Sequence, residues 1–286
     1  MTANSSLNRE EVLASRTMLR PVRESKRLGG FGNMLDKELG EWFNTRRWLV
    51  QTIIWLAILN GLLTFVLFVA PKIDPNALNG PTGAPPGREE IFVMGMTLFF
   101  SMSAVAGVIG MIILAQDEVI REKQSGTAAW ILSKPVSRSS FILTKVLSNL
   151  VGGLIFILAI PAIITYMEVN LATGSPAPVL PYLMACVVIL LTLIFYLTLV
   201  VMLGVLFEQR GPVLGIAFGL MFGGLILSSF IPQLGYVLPL NMDKIALAII
   251  QSKALPAAAI SEIISSAALS IIFIIVAVWR FGREEL

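Results

Sequence analysis

The sequence predicts an all-α, polytopic membrane protein with six transmembrane helices, and three observations lead to that prediction. Apolar residues make up 56% of the 286-residue chain and charged residues only 14%, whereas a soluble domain averages about 45–50% and about 25%. The mean hydropathy is +0.82. The apolar residues are gathered into runs of about 20, the length that crosses a bilayer as a helix.

These runs organise the chain into one transmembrane domain behind a polar segment. Residues 1–33 are polar and basic and lack the short apolar core of a cleavable signal, so we predict a flexible tail. Residues 34–286 form the transmembrane domain. Its spans are predicted at 48–70, 91–115, 147–167, 182–207, 213–231 and 257–279.

The positive charges orient the spans. Of the 21 Lys and Arg residues, seventeen lie in the N-terminal segment, the second-to-third and fourth-to-fifth connections and the C-terminal tail. Positive residues concentrate on the cytoplasmic side of a membrane protein. Both termini are therefore predicted to be cytoplasmic, in agreement with an even number of spans, and the predicted location is the inner (cell) membrane.

The two longer outer connections differ in character. Residues 71–90 are rich in Pro and Gly and are predicted to form an irregular loop. Residues 232–256 contain three prolines around the apolar stretch 245–250, which is too short to span a bilayer. We interpret that stretch as re-entrant or interfacial.

Several chemistries are excluded by what the chain lacks. It has no histidine, the commonest metal ligand and the usual base at neutral pH. Its single cysteine, Cys186, lies in an apolar run, so no internal disulfide can form. No basic tract interleaved with aromatic residues indicates nucleic-acid binding. We predict that the chain binds no metal, cofactor or nucleic acid.

Residues 34–48 predict an amphipathic helix beside the first span. Leu35, Leu39, Trp42 and Phe43 fall on one helical face, and an aromatic face next to a span favours the membrane interface. A simple juxtamembrane anchor is the alternative interpretation. The candidate functional residues of this interface helix are Lys37, Glu38, Trp42 and Arg46.

The connection 116–145 is more structured than a linker requires. Its charged beginning continues the second helix into the cytosol, with Asp117 and Arg121 as an i,i+4 pair. Gly126 can break that helix and Thr127 can cap a short apolar helix over 128–132. The pattern fits a docking surface, and it also fits the charged loop that any polytopic protein carries on its cytosolic side.

The string DEVIREKQSGTAAWILSKPVSRSSFILTK, residues 117–145, resembles the cytoplasmic signature of the ABC type-2 permeases. The Lys-Glu-Leu at 37–39, the six spans and the cytoplasmic termini are also similar to that family, so the resemblance covers residue 34 to the end. One departure is Ala128, Ala129 and Trp130, where many members have leucines.

The resemblance implies an exporter in which two permease chains form the pathway and two cytosolic ATPases drive it. The region 118–127 would be the coupling helix that seats in the ATPase. ATP and Mg would be bound by the ATPase, because this chain has no GxxxxGK[ST] phosphate loop and is expected to have no catalysis of its own. The expected coupling residues are Asp117, Glu118, Arg121, Glu122, Gly126, Thr127, Pro135 and Arg138.

A few polar residues inside the spans are candidates for the translocation path, because charged groups are expensive in a bilayer. Glu262, Ser266 and Ser270 lie on one side of the sixth span. We expect this side to face a second chain or the path, and the alternative is that Glu262 reaches outer water. Asn60 of the first span is a further candidate.

Four glycines form an i,i+4 ridge at the fifth span, which allows a second helix to approach closely. We interpret it as packing within the chain, with a seam between two chains as the alternative. The ridge consists of Gly211, Gly215, Gly219 and Gly223.

Other classes of function fit less well. An intramembrane enzyme would need paired Asp residues, HExxH or a similar set, which the spans lack, and a secondary transporter usually carries ionisable residues near the midplane. An ABC type-2-like protein acting in immunity or assembly stays open. The sequence does not identify the cargo, although an uncharged interior favours a lipidic, peptidic or drug-like one.

Overall fold

The computed structural model describes residues 28–79, 83–134 and 136–284, and within these ranges it is helical, with no strand. In chain order the helices are α1 (Phe31–Phe43), α2 (Arg47–Ile73), α3 (Arg88–Gln124), α4 (Thr127–Leu132), α5 (Arg138–Thr173), α6 (Val179–Leu206), α7 (Arg210–Ser228), α8 (Met242–Ile250) and α9 (Ala259–Phe281).

Six of these helices, α2, α3, α5, α6, α7 and α9, are long and apolar enough to cross a membrane. The predicted all-α class and the six apolar helices are therefore confirmed. The largest differences from the predicted ends are in α3, which continues to Gln124, and in α5, which already begins at Arg138. Both helices continue beyond their apolar parts through charged residues, which hydropathy alone does not count as a span.

Helix α6 is the centre of the bundle. It packs against α3, α5, α7, α8 and α9, and most of it is buried, although Leu183, Met184 and Val187 near its beginning are exposed. Helices α2, α7 and α9 bury much smaller parts of their surfaces within the chain. The bundle therefore has one central helix and three peripheral ones.

The N-terminal helix differs from the prediction. Helix α1 begins at Phe31, directly after Gly30 with its positive φ of 73°, and ends at Phe43, so it starts before the predicted domain boundary at residue 34. A turn separates it from α2, whereas the sequence predicted one helix over 34–48. Residues 1–27 of the predicted tail lie outside the described residues.

Helix α1 packs tightly on α5 through one aromatic side chain. Trp42 stacks on Phe156 with ring centroids 5.7 Å apart. The ring lies so close to Gly152 that an added Cβ would be 2.4 Å from it. Gly152 is therefore required for this contact, because any side chain would displace the indole.

The glycine ridge of α7 does not pack within the chain. No atom lies within 4 Å of a Cβ built on Gly211, Gly215, Gly219 or Gly223. The interpretation as internal packing is therefore wrong, because the ridge faces outward. The next residue, Gly224, faces inward instead, and a Cβ added to it would lie 2.9 Å from the Leu240 side chain.

Replacing Gly152 with alanine is expected to destabilise the protein by about 1–3 kcal/mol, because overpacking forces the aromatic stack apart. The midpoint of thermal unfolding of the detergent-solubilised protein measures the effect. The matched control is Gly32→Ala in α1, where nothing lies within 4 Å of the added Cβ. The control should leave the midpoint unchanged or raise it, since alanine favours a helix. Equal midpoints for the two variants would contradict the packing.

Candidate functional site

A fully buried lysine joins three helices at one end of the bundle. The side chain of Lys145, on α5, has 0% relative exposure. Its Nζ donates to both carboxylate oxygens of Glu38 on α1, at 3.2 and 3.1 Å. It also donates to Glu122 Oε1 at 3.0 Å and lies 3.6 Å from Glu118 Oε2, both near the end of α3.

Two further cations complete this group. Lys37 Nζ donates to Glu38 at 3.2 Å and to Glu122 at 3.3 Å, and Arg47 donates to Glu118 Oε1 at 3.3 Å. Three carboxylates thus face three cations, so the formal charges cancel. The ion cluster is defined as Lys37, Glu38, Arg47, Glu118, Glu122 and Lys145.

The pKa of Lys37 reflects its strong interaction with the carboxylates of the cluster. Burial lowers the pKa of this ammonium group, but the carboxylates of Glu38 and Glu122 more than offset it, so the pKa lies above its ordinary value. Lys37 therefore keeps its positive charge across the neutral range. Its charge is a fixed part of the cluster.

Local structure places each member of the cluster. Glu118 and Glu122 are four residues apart, so both point to the same side near the end of α3. Glu38 stands on the buried face of α1 between Met34 and Trp42. Arg47, at the start of α2, also lies over the Trp42 ring at 4.1 Å.

The buried face of α1 thus differs from the predicted apolar face. It is centred on Met34, Glu38 and Trp42, whereas Phe43 is exposed. The reason is the pairing of Glu38 with Lys145, which turns a carboxylate inward. Of the other candidates on this helix segment, Lys37 lies at the edge of the cluster and Arg46 is exposed in the turn before α2.

Two members of the cluster, Arg47 and Lys145, are not among the site residues that the sequence predicts. Lys145 is the last residue of the signature-like string 117–145. The available signal was a lysine embedded among apolar residues next to a predicted span, a position that requires a partner.

The remaining coupling candidates lie around the cluster. Asp117 pairs with Arg210 at 2.8 Å rather than with Arg121, which instead reaches Glu41 at 3.8 Å. The predicted Asp117–Arg121 pair is therefore wrong, because each of the two side chains pairs with a residue of another segment.

Gly126 and Thr127 lie where the sequence predicted a break. Gly126 adopts a φ of 71° and α4 begins at Thr127, so the predicted break is confirmed. The predicted cap by Thr127 is wrong, because Gly126 occupies the cap position and Thr127 is already in the helix. Pro135 lies outside the described residues. Arg138 points into the chain and donates to carbonyl oxygens at the end of α9, Phe281 at 3.3 Å and Gly282 at 3.0 Å. It ties α5 to α9.

An exposed surface lies next to the ion cluster. Trp130 on α4 is 62% exposed, and Lys134 Nζ lies 3.4 Å from the centre of its ring. Beside it is an open cavity of about 490 Å³. The cavity is lined by Lys123, Gln124, Gly126, Ala129, Glu208, Gln209 and Glu284.

The path candidates of the sixth span are enclosed instead of facing outward. Glu262, Ser266 and Ser270 are all buried within the chain, and Glu262 Oε1 accepts a hydrogen bond from the backbone N–H of Asn241 at 2.6 Å. This burial contradicts a stripe that reaches outer water or faces a second chain, and a place on the translocation path stays a prediction. The connection before α9 covers the stripe.

Asn60 is buried between α2 and α5. Its Nδ2 lies 3.0 Å from both Thr165 Oγ1 and Glu168 Oε2, and Thr64 also donates to Glu168. The residue therefore belongs to an internal contact between two helices, and its place on a path stays a prediction. The Glu168 carboxylate thus accepts hydrogen bonds from neutral side chains, whereas the carboxylates of the ion cluster face cations.

Comparison with known families gives one result. A family model described as "Protein of unknown function (DUF2705)" matches residues 83–286, a range that contains every helix above except α1 and α2. A comparison with curated proteins gives no match.

Replacing Lys145 with methionine is expected to cost about 3–5 kcal/mol, because three carboxylates would keep only two cations in a buried place. Trypsin provides the measurement, because cleavage requires a locally opened stretch of chain. Cleavage after Arg46, in the turn before α2, or after Arg47, at the start of α2, therefore reports the detachment of α1. We expect much faster cleavage there than in the parent protein.

The control for this experiment is Lys134→Met, which removes an exposed lysine and should leave cleavage unchanged. If Lys145→Met fails to accumulate, Lys145→Met combined with Glu38→Met replaces the central pair by apolar groups and should recover much of the stability. Cleavage of Lys145→Met at the control rate would contradict the role of the cluster.

Proposed function

The chain belongs to the DUF2705 family, and we propose that it is the membrane-spanning permease subunit of an ATP-driven exporter of the ABC type-2 class. In this proposal the ATPase is a separate chain that binds ATP and Mg. The support consists of six apolar helices, the signature-like string 117–145 and the geometry that surrounds this string.

The observation that carries the proposal is the ion cluster. It joins α1, the end of α3 and the beginning of α5 through buried charges. The short helix α4, with its exposed tryptophan, lies between the last two elements along the chain. A force applied to α4 therefore reaches two membrane-crossing helices directly, and α9 through Arg138.

This geometry divides the coupling residues into two groups with different roles. Glu118, Glu122 and Arg138 act inside the chain, where they transmit a displacement. The exposed surface, with Trp130 at its centre and Arg121 near the cluster, is available to contact the ATPase. In the proposal, α1 is the interface helix that moves together with this surface.

The proposal includes the arrangement in the membrane. The ion cluster end and both termini face the cytosol of the cell membrane, in keeping with the seventeen positive residues on that side. Two permease chains assemble with two ATPases. The glycine ridge of α7, open along its length, offers the second chain a surface for close helix contact.

Cysteine labelling tests the orientation. In a Cys186→Ala background, Ser133→Cys follows α4 and Ser175→Cys lies in the connection between α5 and α6, and both positions are exposed. With a membrane-impermeant maleimide on intact cells, we expect labelling at residue 175 and none at residue 133 until the cells are opened. The reverse pattern would overturn the orientation.

Co-purification tests the function itself. The full-length chain is co-expressed with an ATPase that carries a Walker phosphate loop and is encoded in the same operon. We expect a complex whose mass corresponds to two copies of each chain and whose ATP hydrolysis exceeds that of the ATPase alone. Failure to bind any such ATPase would overturn the proposal.

The Trp130→Ala variant locates the contact. Because aromatic anchors often dominate interfaces, we expect at least about tenfold weaker binding of the ATPase, with unchanged thermal stability of the chain. Phe230→Ala is the matched control, since Phe230 follows α7 at the opposite end and is 78% exposed. Equal binding by both variants would remove α4 from the contact.

A further inference from the structure

A carboxylate from an outer connection is placed among the membrane-crossing helices. Asp243 lies in the first turn of α8, and its Oδ2 accepts a hydrogen bond from Ser101 Oγ on α3 at 3.0 Å. Ser101 stands eleven residues after Glu90 and sixteen before Asp117, about 16 and 24 Å along a helix. The contact is thus well inside the apolar part of α3.

A cavity of about 160 Å³ lies beside this carboxylate. One part of its lining is polar, with Asp243, Ser101 and Thr192, and the Tyr196 side chain adds a phenol. Another part is apolar, with side chains that include Met221 and Leu225. Lys244 also lines the cavity, so its polar side holds one carboxylate, one ammonium group and several hydroxyl groups, and its other side is hydrocarbon.

The charges around the cavity are not balanced. Within the described ranges, no Lys or Arg nitrogen lies within 4 Å of the Asp243 carboxylate. The neighbouring ammonium of Lys244 is hydrogen-bonded to Asn241 Oδ1 at 2.8 Å. A second carboxylate, Glu262, binds the backbone of Asn241. With both carboxylates ionised, Asp243, Glu262 and Lys244 together carry one net negative charge.

The exposure of Lys244 indicates that the cavity opens to water. Lys244 lines the cavity and is exposed. An ammonium group facing lipid hydrocarbon at this depth is strongly unfavourable. The opening therefore faces an aqueous space, from which a polar ligand can enter.

We propose that this cavity binds a small organic cation that consists of a primary ammonium group on a short apolar stem. The ammonium binds Asp243 with the hydroxyls of Ser101 and Thr192 as acceptors, and the ring of Tyr196 adds an aromatic surface that favours a cation. The stem lies on Met221 and Leu225. The ammonium group of the ligand offsets the net negative charge that Asp243, Glu262 and Lys244 carry together.

This inference goes beyond the proposed function and does not depend on an ATPase. Binding is a property of the purified chain, so it is measured without the partner. Binding of the cation without binding of an ATPase would support the cation site and contradict the exporter proposal. Binding of an ATPase without binding of the cation would support the exporter proposal and contradict the cation site.

The probe is n-butylammonium, which carries its charge at neutral pH and a four-carbon stem. Isothermal titration on the full-length protein in detergent is expected to show saturable binding, together with a higher midpoint of thermal unfolding. The neutral analogue n-butanol and Na⁺ at matched concentration are expected to give neither signal. Binding of Na⁺ but not of butylammonium would overturn the organic class of the ligand.

Two variants test the site. Asp243→Asn should weaken butylammonium binding at least tenfold, whereas Glu89→Gln, an exposed carboxylate at the start of α3, should leave it unchanged. Leu225→Trp leaves the Asp243 carboxylate in place and fills the cavity from its exposed wall, so it should also abolish butylammonium binding. It replaces Asp243→Asn as the test variant if Asp243→Asn does not fold. Full binding by a folded Asp243→Asn or Leu225→Trp protein would overturn the proposal.

Discussion

The structure depends on the burial of Lys145. An ammonium group without contact with water is tolerated only when carboxylates surround it, and removing one partner leaves an unpaired charge at high cost. Glu38, Glu118 and Glu122 come from two different helices, so α1 and the end of α3 must both be in place around α5. One buried lysine thus determines the position of three helices.

That constraint makes the two ends of the bundle physically different. At the ion cluster end, charged pairs join the helices, including Asp117 with Arg210 and Lys123 with Glu284. Near the other end, the contacts use neutral donors, such as Asn60 toward Glu168. Charged contacts are directional and strong in a dry place. The first end is therefore suited to moving as one body.

Much of the fold followed from composition, but the candidate site did not. Runs of apolar residues predicted the six helices, and Gly126 predicted the break before α4. The pairing of Lys145 with Glu38 links residues 107 positions apart, and no local pattern in one sequence reports such a contact. The direction of the glycine ridge on α7 was equally unreadable, because the spacing of glycines identifies a close-packing face but not its partner.

The same limit explains why the spans seemed empty of charge. That prediction considered each span by itself, and the spans indeed contribute few ionisable groups. Asp243 comes from α8, a segment between spans, and tertiary packing brings it to Ser101 in the apolar part of α3. Hydropathy predicts how deep in the membrane a residue lies only when that residue belongs to a helix that crosses the membrane. For this chain, one interior carboxylate comes from a segment between spans that packs against α3 and α6.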